Sequence, residues 1–534
     1  MVSAEDRDSN LAFQNNAVLD FQIQEIMSRP EFEDARFGME FSLLATDELI
    51  YSLNREELYN PASTMKIFTA GLVYSTLGPD FRFHTPIYRT GPIVDGVLKG
   101  DLVLQASGDL LLGGRVNPDG TINLPETDHT YGMSKTAVPV SDNPLDSLYE
   151  FAERIAASGI TNIEGTIIVD DSLFVEGRDS LGGSGEYIIS PIMINDNLVD
   201  VWVIPGENVD EPAILKIMPD TPYLTILNKV MTTAPGENQG EQGRGIVTPF
   251  GQKPRFENDI INPDGTHTAI LSGTVVLGDK PVLCTYIIPE PARFAEIALK
   301  MVLEEKGISS NVDLLQYPDL NALSVNYTDE NKVAEIVSPS LRDELLPMMK
   351  VSSNLHTAAW PYLVGAITGH EPENARKKGL KMQAEMYREA GVDLNVPLED
   401  FQELSEIAGT RYSPKSYTNY LKYLHDQSYF DEYLTILPIL GVDGISNDID
   451  ANLAAAGHVF AKTGTAMSMT RTSDGQAQGF LVKALAGFME LPNGQIVSFS
   501  VFIDYSTMNP NPASAQKAIG DIVNAVYEHM THYV

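Results

Sequence analysis

The two ends of this chain share one texture and its middle has another, and that contrast constrains the fold more than any other feature. Val18, Leu19, Ile23, Ile26 and Met27 recur at helical spacing until Pro30 stops the pattern. Ile519, Ile522, Val523, Val526, Tyr527 and Met530 repeat the same stripe near the other end. Ala484 to Met489 and Ile496 to Ile503 are apolar, β-rich runs joined through Pro492-Asn493-Gly494, a hairpin signal. Phe41 to Ala45 and Glu48 to Leu53, split by Thr46-Asp47, read as a second hairpin. From about Gly91 to Tyr327, short β-like runs alternate with turns such as Asn117-Pro118-Asp119-Gly120 and Asn262-Pro263-Asp264-Gly265. Ala234 to Gly243 is the most loop-like stretch, and a helix is expected from Pro291 to Glu305. This pattern predicts one domain assembled from both ends, interrupted by one or two small β-rich domains.

Composition narrows the function. A chain of 534 residues has room for three or four domains. Its 36 Lys+Arg against 73 Asp+Glu give a net charge of −37, which argues against a nucleic-acid backbone or an anionic bilayer as partner. The same excess suits a surface adapted to salt. Cys284 is the only cysteine, so no intramolecular disulfide and no multi-thiolate zinc or iron–sulfur site is expected. No run of 18 apolar residues predicts a transmembrane segment. The chain opens Met1-Val2-Ser3-Ala4-Glu5-Asp6 without a leader pattern, which fits either a cytosolic protein or an exported one already relieved of its leader. No His-Glu-x-x-His and no phosphate-binding Gly-x-x-x-x-Gly-Lys loop occurs. Gly182-Gly183-Ser184-Gly185-Glu186 misses the Gly-x-Ser-x-Gly elbow by one position.

Three short elements could carry chemistry. In Pro61-Ala62-Ser63-Thr64-Met65-Lys66, Ser63 sits at or near a helix start that Gly78-Pro79 later ends. Ser63 and Lys66, three apart, share a helical face, and a buried lysine that loses its proton can serve as base for the serine. An N-cap serine is the plain alternative, and average composition places about two Ser-x-x-Lys in any chain this long. Lys350-Val351-Ser352-Ser353-Asn354 lies between two helical patterns and offers a hydroxyl and an amide, or merely a helix cap. Phe460-Ala461-Lys462-Thr463-Gly464-Thr465 follows a β-like run; Lys462 and Thr463 can grip a carboxylate, and Gly464 admits a close backbone. Taken in order, Ser-x-x-Lys, Ser-x-Asn and Lys-Thr-Gly form the triple signature of penicillin-recognising serine acyl-enzymes.

With those motifs in view the chain resembles the class C penicillin-binding proteins, the D-alanyl-D-alanine carboxypeptidase/endopeptidases. Gly100-Asp101-Leu102-Val103-Leu104 with Gly108-Asp109, Asp170-Asp171-Ser172-Leu173-Phe174, and Leu437-Pro438 through Gly441-Val442-Asp443-Gly444 extend the likeness over nearly the whole chain. The resemblance implies an α+β fold: a split transpeptidase/β-lactamase-like domain, an antiparallel sheet with flanking helices, carrying a nested two-domain β-rich insertion. The expected boundaries are 1–92 and 336–534 for the penicillin-binding domain, 93–205 and 286–335 for the first inserted domain, and 206–285 for the second. It also implies that Ser63 attacks a D-Ala-D-Ala carbonyl with neutral Lys66 as base. Ser352 would relay the proton, steered by Asn354 and Lys462. Backbone N–H groups of Ser63 and Thr465 would stabilise the oxyanion, and Thr463, Thr465 and Lys462 would hold the substrate carboxylate. Asp170 or Asp171 with Phe174 would face the amino end of a peptidoglycan side chain, or else form a strand-end turn and core. The expected partners are peptidoglycan stem peptides and β-lactam inhibitors, in an exported, periplasmic or extracellular setting, with no metal and no cofactor. His356 is expected as a capping or core residue.

Some positions depart from the family pattern. Ser353 stands where Asp is frequent, Phe401 to Glu406 replaces Gly-Ser-Gly-Leu-Ser-Arg, and Ile445-Ser446 replaces Thr-Leu. Glu406 thus occupies an arginine's place unless Arg411 substitutes, and Met467 to Val482 lengthens the segment after Lys-Thr-Gly. Two further readings follow: an esterase, amidase or β-lactamase-like hydrolase with the same apparatus, and a catalytically idle cell-wall-binding protein.

Overall fold

The computed structural model describes residues 17–132, 136–179, 186–235, 253–310, 325–369, 371–393, 411–444, 449–471, 477–507 and 510–533. Both ends of the chain meet in one five-stranded antiparallel sheet. Its strands are β1 (Arg36–Leu43), β2 (Glu48–Leu53), β3 (Val459–Arg471), β4 (Ala477–Glu490) and β5 (Ile496–Thr507), in the order β3-β4-β5-β1-β2. Both expected hairpins are present, β1–β2 and β4–β5. Neighbours along β4 face opposite cores: Leu481 and Leu485 pack with the terminal helices, 17–27 and Pro512–Tyr533, whereas Ala484 and Ala486 pack with the helical half. A sheet buried on both faces reads as a nearly unbroken apolar run, which is how this segment looks in the sequence.

The helical half is built around α1 (Lys66–Leu77), whose residues from Lys66 to Tyr74 are all buried. Against it pack α2 (Leu341–Lys350) and α3 (Asn354–Gly369), the latter placing Trp360 in the same core. A helix apolar on all sides belongs in the middle of a domain.

The segment between α1 and α2 forms smaller sheets around a separate core. Its first and last strands, His84–Arg89 and Lys332–Val337, are antiparallel neighbours, so the chain leaves and re-enters the outer domain side by side. That geometry lets about 250 residues be inserted without disturbing α1. Beyond this base, Leu198–Ile204 pairs with Ile214–Met218 and Val282–Ile287, and Leu224–Thr233, His267–Val276 and Arg255–Ile261 form a further sheet. The helix expected from Pro291 is present as Pro291–Glu305. Most of the loop-like Ala234 to Gly243 lies outside the described residues.

Asp109 from the inserted part and Glu344 of α2 face each other in full burial, and desolvation followed by mutual repulsion raises Glu344 well above the carboxylate range. Burial also lifts Asp109, to about 6. Both folded values lie above the unfolded ones, so the stability the protonated groups contribute is present in acid and declines as pH rises: the Asp109 part is lost as pH rises through about 6, and the Glu344 part goes on declining at higher pH. Asp109→Asn is expected to flatten that loss in urea midpoints measured from pH 4 to 8. An unchanged slope would assign the loss to other groups.

Candidate active site

Ser63 lies in a single 3-10 turn, Ala62–Met65, that runs directly into α1. Ala62 has a left-handed φ of 45°, a strained setting held by Asn60 Oδ1, which accepts from the Ala62 N–H at 2.9 Å. Thr64 Oγ1 donates to Pro61 O at 2.7 Å and lies 2.9 Å from Tyr417 Oη, so the turn is locked on both sides. Lys66, one position into α1, brings Nζ to 3.0 Å from Ser63 Oγ and 2.7 Å from Asn354 Oδ1. Both partners are uncharged, and burial alone pushes the ammonium down to about 7.

Asn354 opens α3, and Ser352 precedes it with a left-handed φ of 62°. Ser353 N–H donates to Pro347 O, and Ser353 Oγ accepts from His356 N–H at 3.3 Å. The altered middle residue of Ser-x-Asn therefore serves the helix start.

Lys462, Thr463 and Gly464 lie inside β3, a 13-residue strand, rather than at a strand end. A Cβ on Gly464 would stand 2.5 Å from Pro61 O and 3.2 Å from Thr64 N. The close approach that this glycine permits is thus to the Ser63 turn itself, which it docks against β3. Lys462 is fully buried, its Nζ donates to Thr463 O at 3.1 Å, and desolvation with the nearby Lys66 and Lys483 drives it well below its ordinary value.

Ser63, Ser352, Thr463 and Thr465 line one cavity of about 350 Å³ together with Glu126, Thr127, Tyr131, Val351, Lys483 and Gln516. Tyr131 Oη donates to Ser352 O at 2.6 Å, so the inserted part holds the second motif directly. Nothing local in the sequence marks Tyr131. Lys483 had a signal: a lone charge within the apolar run Phe480 to Met489.

Other expected residues lie elsewhere. Phe174 is buried against Tyr362, and Asp170 accepts from Ser172 N–H and from Tyr327 Oη; neither lines this cavity. Arg411 acts on Asp504. Phe401 to Glu406 and Ile445-Ser446 lie outside the described residues. His356 is a core residue: its Nε2 is 3.1 Å from Asp196 Oδ1, in a buried cluster with Arg115 and His129. Among the described residues no group of His, Cys, Asp and Glu could hold a metal ion.

Fold and cavity together are those of a penicillin-recognising serine acyl-enzyme. The chain belongs to the D-Ala-D-Ala carboxypeptidase 3 (S13) family, whose model matches residues 19–526. It is 26% identical over 522 residues to the D-alanyl-D-alanine carboxypeptidase of Actinomadura sp. (strain R39), covering 93% of this chain and 82% of the relative. It is 22% identical over 514 residues to the D-alanyl-D-alanine carboxypeptidase DacB of Haemophilus influenzae, covering 94% and 92%. The crystal structure of penicillin binding protein 4 (dacB) from Haemophilus influenzae superposes with a TM-score of 0.65 at 20% identity, over 95% of this chain and 99% of that one. That last likeness is one of fold.

Proposed function

We propose that this member of the family hydrolyses the D-Ala-D-Ala bond of peptidoglycan stem peptides through an acyl-enzyme on Ser63, and that penicillins acylate the same oxygen. The observation that carries the reading is Lys66 Nζ at 3.0 Å from Ser63 Oγ, buried and with no carboxylate partner among the described residues. A neutral amine there takes the hydroxyl proton as Oγ adds to the carbonyl carbon. Backbone N–H groups of Ser63 and Thr465 receive the developing oxyanion. Collapse breaks the C–N bond, and Ser352, oriented by Asn354 and Lys462, passes the proton to the departing D-alanine amine. Water then cleaves the Ser63 ester, with Lys66 again as base, and the shortened peptide leaves as its carboxylate. The names of the Actinomadura and Haemophilus relatives support this substrate class. Such a substrate places the enzyme outside the cytoplasmic membrane; among the described residues no helix is long and apolar enough to cross one.

Intact mass after incubation with a penicillin is expected to show one adduct on the wild type and none on Ser63→Ala. An equal adduct on the variant would remove Ser63 from the mechanism. Release of D-alanine from diacetyl-Lys-D-Ala-D-Ala separates a DD-peptidase from an esterase.

A further inference from the structure

The segment Leu437-Pro438 through Gly441-Val442-Asp443-Gly444, singled out in the sequence, lines no part of the cavity and supplies no step of the reaction above. The fold places it beside the third motif. β3 ends the five-stranded sheet, and this segment runs along its outer edge. Ala461 N–H donates to Pro438 O and Leu440 N–H to Val459 O, each at 2.9 Å, and Ile439 pairs antiparallel with Phe460. The strap therefore covers the strand edge immediately ahead of Lys462, Thr463 and Gly464.

The strap closes on itself through Asp443, whose Oδ1 accepts from Ile439 N–H at 2.8 Å. Asp443 Oδ2 accepts from Lys350 Nζ at 2.7 Å, and the same ammonium donates to Leu437 O at 2.6 Å. Lys350 is the last residue of α2 and stands two positions before Ser352. Its side chain is buried, and burial pulls the ammonium below its ordinary value while Asp443 opposes that fall. A buried ammonium is costly unless it is paired, so this contact ties the end of α2 to the strap. The backbones also meet here: a Cβ on Gly444 would stand 2.7 Å from Lys350 O. One ion pair thus joins the chain leading into the second motif to the strap that flanks the third. β3 is held on its other side by β4, and Gly464 docks it against the Ser63 turn. Loss of the pair would leave those parts in place and release Ser352.

We propose that Lys350 and Asp443 are positioning residues for proton delivery: their ion pair holds Ser352 against the Lys-Thr-Gly strand, in the place from which it protonates the departing amine. This role rests on the DD-peptidase reading above.

Two substrates separate this role from a general effect on folding. Diacetyl-Lys-D-Ala-D-Ala loses an amine, which departs only as it is protonated, whereas acyl-D-alanyl thioglycolate loses a thiolate, which departs without a proton. Lys350→Met and Asp443→Asn are each expected to lower kcat/KM for the peptide about 10- to 100-fold, the range for a reacting group displaced by a change away from the chemistry. The loss should appear in kcat rather than KM. Asp443→Asn keeps an oxygen for Ile439 N–H and so spares the strap. The thioester should change less than about threefold, which also shows that the variants fold. The double variant should be no slower on the peptide than Lys350→Met alone, because both changes remove one interaction. Equal losses on both substrates, additive losses in the double variant, or no loss on the peptide overturn the proposal while leaving the peptidase reading intact. A wild type that hydrolyses neither substrate and takes no penicillin overturns that reading, and this proposal with it.

Discussion

Lys66→Met is expected to slow acylation by penicillin about 1,000-fold, within the range for loss of a positioned general base. Lys66→Arg should be as inactive, because a guanidinium keeps charge and length yet does not give up its proton. The wild-type acylation rate should rise with pH through about 7 and then level off, since only the neutral amine accepts the Ser63 proton. A second readout comes from stability. The unfolded lysine holds its proton up to about 10.5, the folded one only to about 7, so the unfolded chain binds more protons in that window. The penalty for burying Lys66 is absent above the window and complete below pH 7, where it is on the order of 5 kcal/mol. Lys66→Met should therefore resist urea better than the wild type at pH 6 while failing to acylate. A methionine variant that still acylates, or a rate flat from pH 5 to 9, would dismiss Lys66 as the base.

That coexistence of lost activity and gained stability shows which parts of the site were legible in the sequence. Ser63, Lys66, Ser352 and Asn354 are separated by local spacings, three residues or two, that a helix start or a short loop fixes by itself; only their convergence needed the fold. The hairpins and terminal helices were legible because each is a local periodicity with its own turn signal. Lys483 stood out as a lone charge, but its place in the cavity, like that of Tyr131, was not legible, for a physical reason. Lys483 reaches the cavity through the pairing of β3 with β4, and a shift of one residue in that register would turn its side chain to the opposite face. Tyr131 comes from the inserted part, 221 residues from the carbonyl it holds. Gly464 lies directly against the Pro61 carbonyl, a contact that no motif spacing reveals.

The largest structural loss is expected from Asp196→Asn. Asn195, Asp196 and Asn197 all have left-handed φ, between 52° and 55°, a region that Asn and Asp enter more readily than other side-chain-bearing residues, and three in succession need support from their surroundings. What holds this bend is the carboxylate of Asp196, which accepts from Arg115 Nε at 3.1 Å and lies 2.9 Å from His129 Nε2 and 3.1 Å from His356 Nε2, all in burial. The neighbouring cations keep Asp196 well below the usual carboxylate range, although burial opposes them. Conversely, the charges of Asp200 and Asp196 lift His129 to about 10 against its desolvation. Neutralising Asp196 leaves Arg115 and His129 undercompensated, a loss of about 3–5 kcal/mol. It should also slow acylation, since His356 follows Asn354 on α3 and His129 shares a short helical turn with Tyr131, which grips Ser352. The pH dependence has a definite sign. The Asp196 contribution holds above the unfolded value near 4 and fails only in stronger acid; that of His129 is complete below 6.5 and is lost as pH rises toward 10. The two tryptophans report on either side: Trp202 in the inserted part and Trp360 on α3. In the wild type their urea transitions should coincide near pH 5–6 and separate toward pH 9, and in Asp196→Asn they should be separate at every pH. Coincident transitions in the variant, with wild-type acylation, would show that the buried cluster does not couple the inserted part to the second motif.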